Sequence, residues 1–191
     1  MNIYFFGGSF DPPHRGHLEI IQSCIKDSHR FVLIPAAQSP FKDQAPIASP
    51  AQRIHMLELL TEKLDPCIVI DDWEINKLEP SYTYGTIRYL QKKYPRNNLF
   101  MVMGVDQLKC FDKWKNYKEI MNSVQITCFN RNQSNYIPPK RMKICWKDNF
   151  RVDISSTAIR ENIAAGNLPA EDLISSVCQY IKEQKLYGCM V

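Results

Sequence analysis

The 191-residue sequence has no run near the ~20 apolar residues a helix needs to cross a bilayer, which excludes a helical membrane protein. No basic stretch followed by an apolar core opens the chain, so no secretory signal is expected and a cytoplasmic setting is. Its seven cysteines include no CxxC pair. An odd, scattered set argues against a disulfide framework or a zinc site and for reduced thiols. No internal repeat or low-complexity linker divides the chain, so one domain over 1–191 is expected. Strong charge is missing too: the net +4 suits a small anionic ligand, and no aromatic-basic stripe marks a nucleic-acid partner. What remains is ordinary globular material, 45% hydrophobic and 23% charged, long enough to build a core without disulfides.

Apolar runs at 2–6, 30–35, 67–71, 99–104, 124–129 and 142–146 read as buried strands. Between them, helices are predicted over 16–26 (Leu18, Ile21, Cys24 and Ile25 inward), 49–64, 81–93, after "DISST", and over 170–185, with short helical pieces from Asp106 to Met121. Ser49 and Pro50 suit an N-cap and a first helical position, and Ser81 is a second candidate cap. Residues 35–47 read as a loop. Such alternation predicts an α/β fold with a doubly wound, Rossmann-like parallel sheet covered on both faces. Ligands of such sheets bind outside the carboxyl ends of the strands. The unusual stretches all lie there: "GGSFDPPHRGHL" after the first strand, "PAAQSPFK" after the second, "GVDQL" after the fourth, "ISSTAIRENI" after a late one.

Gly7 and Gly8 carry no Cβ and admit close approach, and the helix start beyond them offers N–H donors and partial positive charge. Both features favour a phosphate. Pro12 and Pro13 stiffen the loop. His14 falls in the loop and His17 in the first helical turn, so both can face one crevice and donate to oxygens whose charge grows in a transition state. A bare HxxH would be read as two incidental surface histidines; its setting between strand and helix start argues otherwise. No Cys, Asp or Glu pair at metal spacing completes a zinc site. Further on, Ser155 or Ser156 can cap a helix whose face carries Ser156, Thr157 and Arg160, and Arg160 can fork onto phosphate oxygens or lie solvated.

With these residues in view, "GGSFDPPHRGHL" resembles the HxGH signature of the nucleotidylyltransferase superfamily, and "ISSTAIREN" resembles its second signature. "PSYTYGTI", "MGVDQL", "KWKNYKEI", "PAAQSPFK", "SPAQRIHML" and "YIKEQKLYG" are similar to segments of the bacterial nicotinate-nucleotide adenylyltransferases, over essentially the whole chain. The resemblance implies an ATP site of Gly7, Gly8, Ser9, Phe10, His14, His17, Gly104, Asp106, Ile154, Ser155, Ser156, Thr157 and Arg160. It implies a nicotinate-nucleotide site of Ser9, Lys42, Thr83, Trp114, Lys115 and Arg131, with Trp114 stacked on the ring. His14, His17, Lys42 and Arg160 would carry catalysis. Read from the residues alone, Trp114 could be a core aromatic, Asp106 a helix cap and Lys42 one more solvated lysine. The family commonly has an aspartate where this chain has Gly85, and a threonine where it has Ser9.

The implied reaction joins nicotinate mononucleotide to the adenylyl group of ATP and releases pyrophosphate. Mg²⁺ would be held mainly by ATP phosphates, with no dedicated protein cage. The expected partners are the two nucleotides, neither nucleic acid nor membrane, and the oligomeric state, a homo-oligomer included, stays open. The rivals are phosphopantetheine adenylyltransferase, a cytidylyltransferase, and a nucleotide-binding regulator without turnover.

Overall fold

Residues 3–6 are apolar at every position, and the strand they form is covered on both sides: Ile3 and Phe5 enter one core, Tyr4 and Phe6 the other. Leu99, Met101 and Met103 likewise face the first core, and Phe100 and Val102 the second. The computed structural model describes residues 1–38, 44–77, 82–130, 136–139, 142–148, 150 and 154–189. Strands β1 (Asn2–Gly8), β2 (Arg30–Pro35), β3 (Ile68–Ile70), β4 (Asn98–Gly104), β5 (Gln125–Phe129) and β6 (Ile144–Lys147) pair in the order β3-β2-β1-β4-β5-β6. Every pairing is parallel, as the apolar runs predict. The order reverses direction between β1 and β4, which places the crevice of a doubly wound sheet at their carboxyl ends.

The helices are α1 (Arg15–Ile25), α2 (Pro50–Thr61), α3 (Thr83–Lys93), α4 (Val105–Lys109), α5 (Tyr117–Ser123), α6 (Ser156–Ala164) and α7 (Ser175–Glu183), with 3₁₀ turns at Phe111–Lys113 and Leu186–Gly188. Among the described residues none is long and apolar enough to cross a membrane. Ser49 caps α2, accepting from the Gln52 N–H at 3.3 Å, with Pro50 first in the helix. Three expectations shift. In α1 the buried residues are Gly16, Ile20, Ile21 and Cys24, while Leu18 and Ile25 are half-buried. Tyr82 is the N-cap of α3; Ser81 lies outside the described residues. Helix α7 begins only at Ser175, because the chain through Glu171–Leu173 turns to bury Leu173 in a third cluster with Met56, Ile159, Ile163, Val177, Ile181, Leu186 and Tyr187. That cluster folds the C-terminal turn back under α2 and α6.

Gly85 is the third residue of α3, a helix with no side-chain cap and no acid in its first turn. A Cβ built there would lie 3.9 Å from Lys77 Nζ and 3.9 Å from the Trp73 ring. A carboxylate at 85 would therefore meet both the helix dipole and the Lys77 ammonium. Gly85→Asp should stabilise the protein by about 1 kcal/mol, summing a small gain in propensity with these charge terms. Thermal unfolding should show a rise of about 2–4 °C. A lowered midpoint would mean that the first turn of α3 depends on glycine.

Candidate active site

The loop from β1 to α1 is shaped by buried rings. Phe10 is 1% exposed and takes a left-handed backbone conformation (φ 49°). Its ring packs over Gly8, where a Cβ would come within 3.1 Å of it, whereas a Cβ on Gly7 would meet only the Ile34 carbonyl at 3.9 Å. The bare Gly8 position is thus used by Phe10 itself. With its ring in the core, Phe10 is left its backbone to offer a nucleotide.

Phe10 also supports the histidines. The His17 ring lies edge-on to Phe10 (centroids 5.0 Å), tilted to Phe6 (5.7 Å), and against His14 at 3.7 Å and 30°. His14 is the N-cap of α1, buried at 2% exposure, and His17 is the third residue of the helix. The His14 N–H donates to His17 Nδ1 at 3.1 Å. An accepting Nδ1 puts the proton of a neutral His17 ring on Nε2, making that edge a donor. The helix start holds fewer open donors than its sequence suggests: the Arg15 N–H donates to the Asp172 carbonyl and the His17 N–H to the His14 carbonyl.

The second signature reaches the same loop from α6. Ser155, the N-cap, accepts from the Ala158 N–H at 3.1 Å. The Ser156 hydroxyl donates to the Pro12 carbonyl at 2.9 Å, so it serves the loop. Arg160 Nη1 donates to the Asp11 carbonyl at 2.7 Å, and Nη2 stands 3.5 Å from Thr157 Oγ1. Ile154 is half-buried beside this start. The start of α6 is thus tied to the histidine loop at Asp11 and Pro12, 149 and 144 positions away in sequence.

Beside this group, at the carboxyl ends of β1 and β4, opens a cavity of about 880 Å³, within the usual range for small-molecule sites. Gly7, Gly8 and Ser9 border it from β1, Met101–Met103 from β4, Tyr82, Thr83 and Thr86 from α3, and Asp106, Lys113, Trp114 and Lys115 from the segment after β4. Trp114 is half-buried against Phe111 (5.2 Å between centroids), and Lys115 Nζ sits 4.4 Å over the Tyr82 ring. Gly104 is the N-cap of α4, with nothing within 4 Å of where a Cβ would stand; Asp106, in that helix's first turn, lines the cavity. Lys42 and Arg131 lie outside the described residues.

Sequence reading passed over several buried polar groups. Arg53, 1% exposed, donates from Nη1 to the Ser9 and Ala36 carbonyls at 2.7 Å each, tying the ends of β1 and β2 together. Burial lowers its pKa and the nearby Asp11 carboxylate opposes that. The signal was legible: Arg53 shares the inward stripe of α2 with Met56, Leu57 and Leu60. Glu74, buried in the cavity wall, accepts a short hydrogen bond from the Thr86 hydroxyl. No periodicity announced it. Among the described residues no three His, Cys, Asp or Glu side chains gather as a metal cage.

Residues 5–162 match the family model described as cytidylyltransferase-like. A protein of Methylacidiphilum infernorum (isolate V4), named a probable nicotinate-nucleotide adenylyltransferase, is 37% identical over 187 residues, covering 95% of this chain and 90% of its own. One of the same name from Hydrogenobaculum sp. (strain Y04AAS1) is 34% identical, covering 98% and 99%. The fold matches the Plasmodium falciparum nicotinic acid mononucleotide adenylyltransferase complexed with NaAD, with TM-score 0.84 over 99% of this chain and 98% of that one, at 17% identity.

Proposed function

The chain belongs to the cytidylyltransferase-like family, among its nicotinate-nucleotide adenylyltransferases, and on that premise we propose that it transfers the adenylyl group of ATP to nicotinate mononucleotide, giving deamido-NAD and pyrophosphate. The observation that carries this reading is the single run from Gly7 to His17: its Gly7–Ser9 end borders the 880 Å³ cavity with Trp114, Asp11 holds Arg160, and its far end carries the close His14–His17 pair. A phosphate oxygen of the mononucleotide attacks the α-phosphorus of ATP in line, the bond to the β-phosphate oxygen breaks, and pyrophosphate leaves. The attacking oxygen is already anionic, so the chain's task is positioning and charge stabilisation. His14 and His17 donate to α-phosphate oxygens, and Arg160 with Lys42 holds the departing phosphates. Asp106 meets the ribose, and Trp114 stacks on the pyridine with Thr83 and Lys115 beside it. Mg²⁺, bound through the ATP phosphates, would neutralise charge on the departing group. The free thiols of all seven cysteines favour a cytoplasmic setting.

A pyrophosphate-release assay tests this, pairing ATP or CTP with nicotinate mononucleotide, nicotinamide mononucleotide and phosphopantetheine, with and without EDTA. ATP with the nicotinate nucleotide should lead, and excess EDTA should stop turnover. Release with another pairing would reassign the enzyme, and none with any would make it a nucleotide-binding regulator.

Arg160 supports a sharper expectation. One of its N–H groups is committed to the Asp11 carbonyl, so phosphate binding must use the others of its planar fork. Arg160→Ala should raise KM for ATP about 10- to 100-fold, the worth of one charge-assisted hydrogen bond. Arg160→Lys should recover only part, because a single ammonium cannot serve carbonyl and phosphate in the same geometry. Full recovery by lysine would show that charge alone is needed.

A further inference from the structure

One buried carboxylate joins four separate parts of the chain. Asp11, 3% exposed, lies in the loop that leads to His14. Its Oδ2 accepts from the Ile47 N–H at 2.8 Å, and its Oδ1 from the Ala48 N–H at 3.0 Å and the Tyr187 hydroxyl at 2.8 Å. Arg160, bonded through Nη1 to the Asp11 carbonyl, stands 3.9 Å from Oδ2. The histidine loop, the segment after β2, helix α6 and the C-terminal turn thus meet at one residue.

A carboxylate has about four lone-pair sites, and three are taken here by uncharged donors. The guanidinium is left about an ångström beyond a closed charge-assisted bond of roughly 2.8 Å. Tyr187 reaches Asp11 from a backbone that disfavours any side chain: its φ is 59°, in the left-handed region, and Lys185 shares that region at 49°. Its ring is buried in the third cluster. Burial and the Asp11 carboxylate push the phenol's pKa well up, so the hydroxyl stays a donor across the working pH range.

We propose that Tyr187 is a positioning residue for the triphosphate: by holding Asp11 Oδ1 beside the Ala48 N–H it fixes the rotation of the carboxylate, so that Oδ2 stays 3.9 Å from the guanidinium instead of closing onto it, and leaves the remaining N–H groups of Arg160 to phosphate oxygens. The proposal rests on the role given to Arg160 above. Without the hydroxyl, the carboxylate is held by two backbone N–H groups alone and can turn its open Oδ2 lone pair onto the guanidinium, the strongest donor within reach.

Tyr187→Phe keeps the ring and its packing and deletes only the donor. Titration calorimetry with ATP, which needs no turnover, should show the dissociation constant rising roughly 10-fold, the size of one coupled interaction. KM for the mononucleotide should hold. In an Arg160→Ala background the same change should add no further loss, because no guanidinium remains to be withdrawn. Unchanged ATP affinity in Tyr187→Phe overturns the proposal, even if its melting temperature falls. Equal losses in both backgrounds also overturn it, marking Tyr187 as structural support alone. A wild-type protein that binds ATP but forms no product sinks the assigned reaction, while the affinity ratio still decides this inference. One that binds no ATP overturns both.

Discussion

Nicotinate mononucleotide should exceed nicotinamide mononucleotide in kcat/KM by about 10⁴-fold at saturating ATP, the range open to sites built on hydrogen bonds. The cavity wall includes Tyr82 and Thr83, the cap and first residue of α3, and no side chain caps that helix. Its first-turn N–H groups and dipole favour an anion that only accepts. A carboxylate matches such donors with both oxygens; a carboxamide must turn its own N–H₂ toward one of them, and both are left unpaired. Charge alone would not discriminate as strongly. Lys113 and Lys115 line the cavity, but so do Glu74 and Asp106. Thr86 cannot take over, since its hydroxyl proton is spent on Glu74. Lys115→Ala should therefore cost less than a change in the backbone before α3, and Trp114→Ala should weaken acid and amide alike, because stacking ignores the substituent. Equal kcat/KM for the two nucleotides, or a preference for the amide, would show that the wall is not donor-lined.

His17→Ala should lower kcat by at least ~10²-fold while ATP affinity changes little, as expected for a donor whose bond strengthens in the transition state. His17 Nδ1 accepts from the His14 N–H, so the neutral ring's proton sits on Nε2. Phe6, Phe10 and His14 pack around the ring, and this fixed orientation is what makes the donor effective without reorganisation. Alanine also removes the acceptor of the His14 N–H, so His17→Asn is the companion variant. Its side-chain oxygen can still accept at the start of α1, but it lacks the donor at the Nε2 position. Both variants should bind ATP in a calorimetric titration and fail in turnover. An Asn or Ala enzyme with near-normal kcat would remove His17 from the chemistry.

Much of this was legible in the chain. Apolar runs with no polar alternation read as strands buried on both faces, and their separation by helices indicates parallel crossovers. The Ser49–Pro50 cap, the strand-glycine-histidine-helix order and the Ser155 start are local devices whose physics lies within a few residues. What sequence could not decide is where the polar groups go once the layers close. The Ser156 hydroxyl bonds the Pro12 carbonyl, the Phe10 ring fills the space over Gly8, and Tyr82 stands at the N-cap of α3 where Ser81 was expected. Arg53, Asp11, Glu74 and Tyr187 gain their meaning from partners up to 176 residues away. Burying them requires that each find a hydrogen bond, and only the packing of α2, α6 and the C-terminal turn against the strand ends determines which one is within reach. The sequence by itself determined the parallel sheet and the local caps at Ser49 and Ser155; the tertiary structure alone decided which buried charges hold the first turn of α1 in place, because a desolvated charge is tolerated only where distant backbone is folded up to meet it.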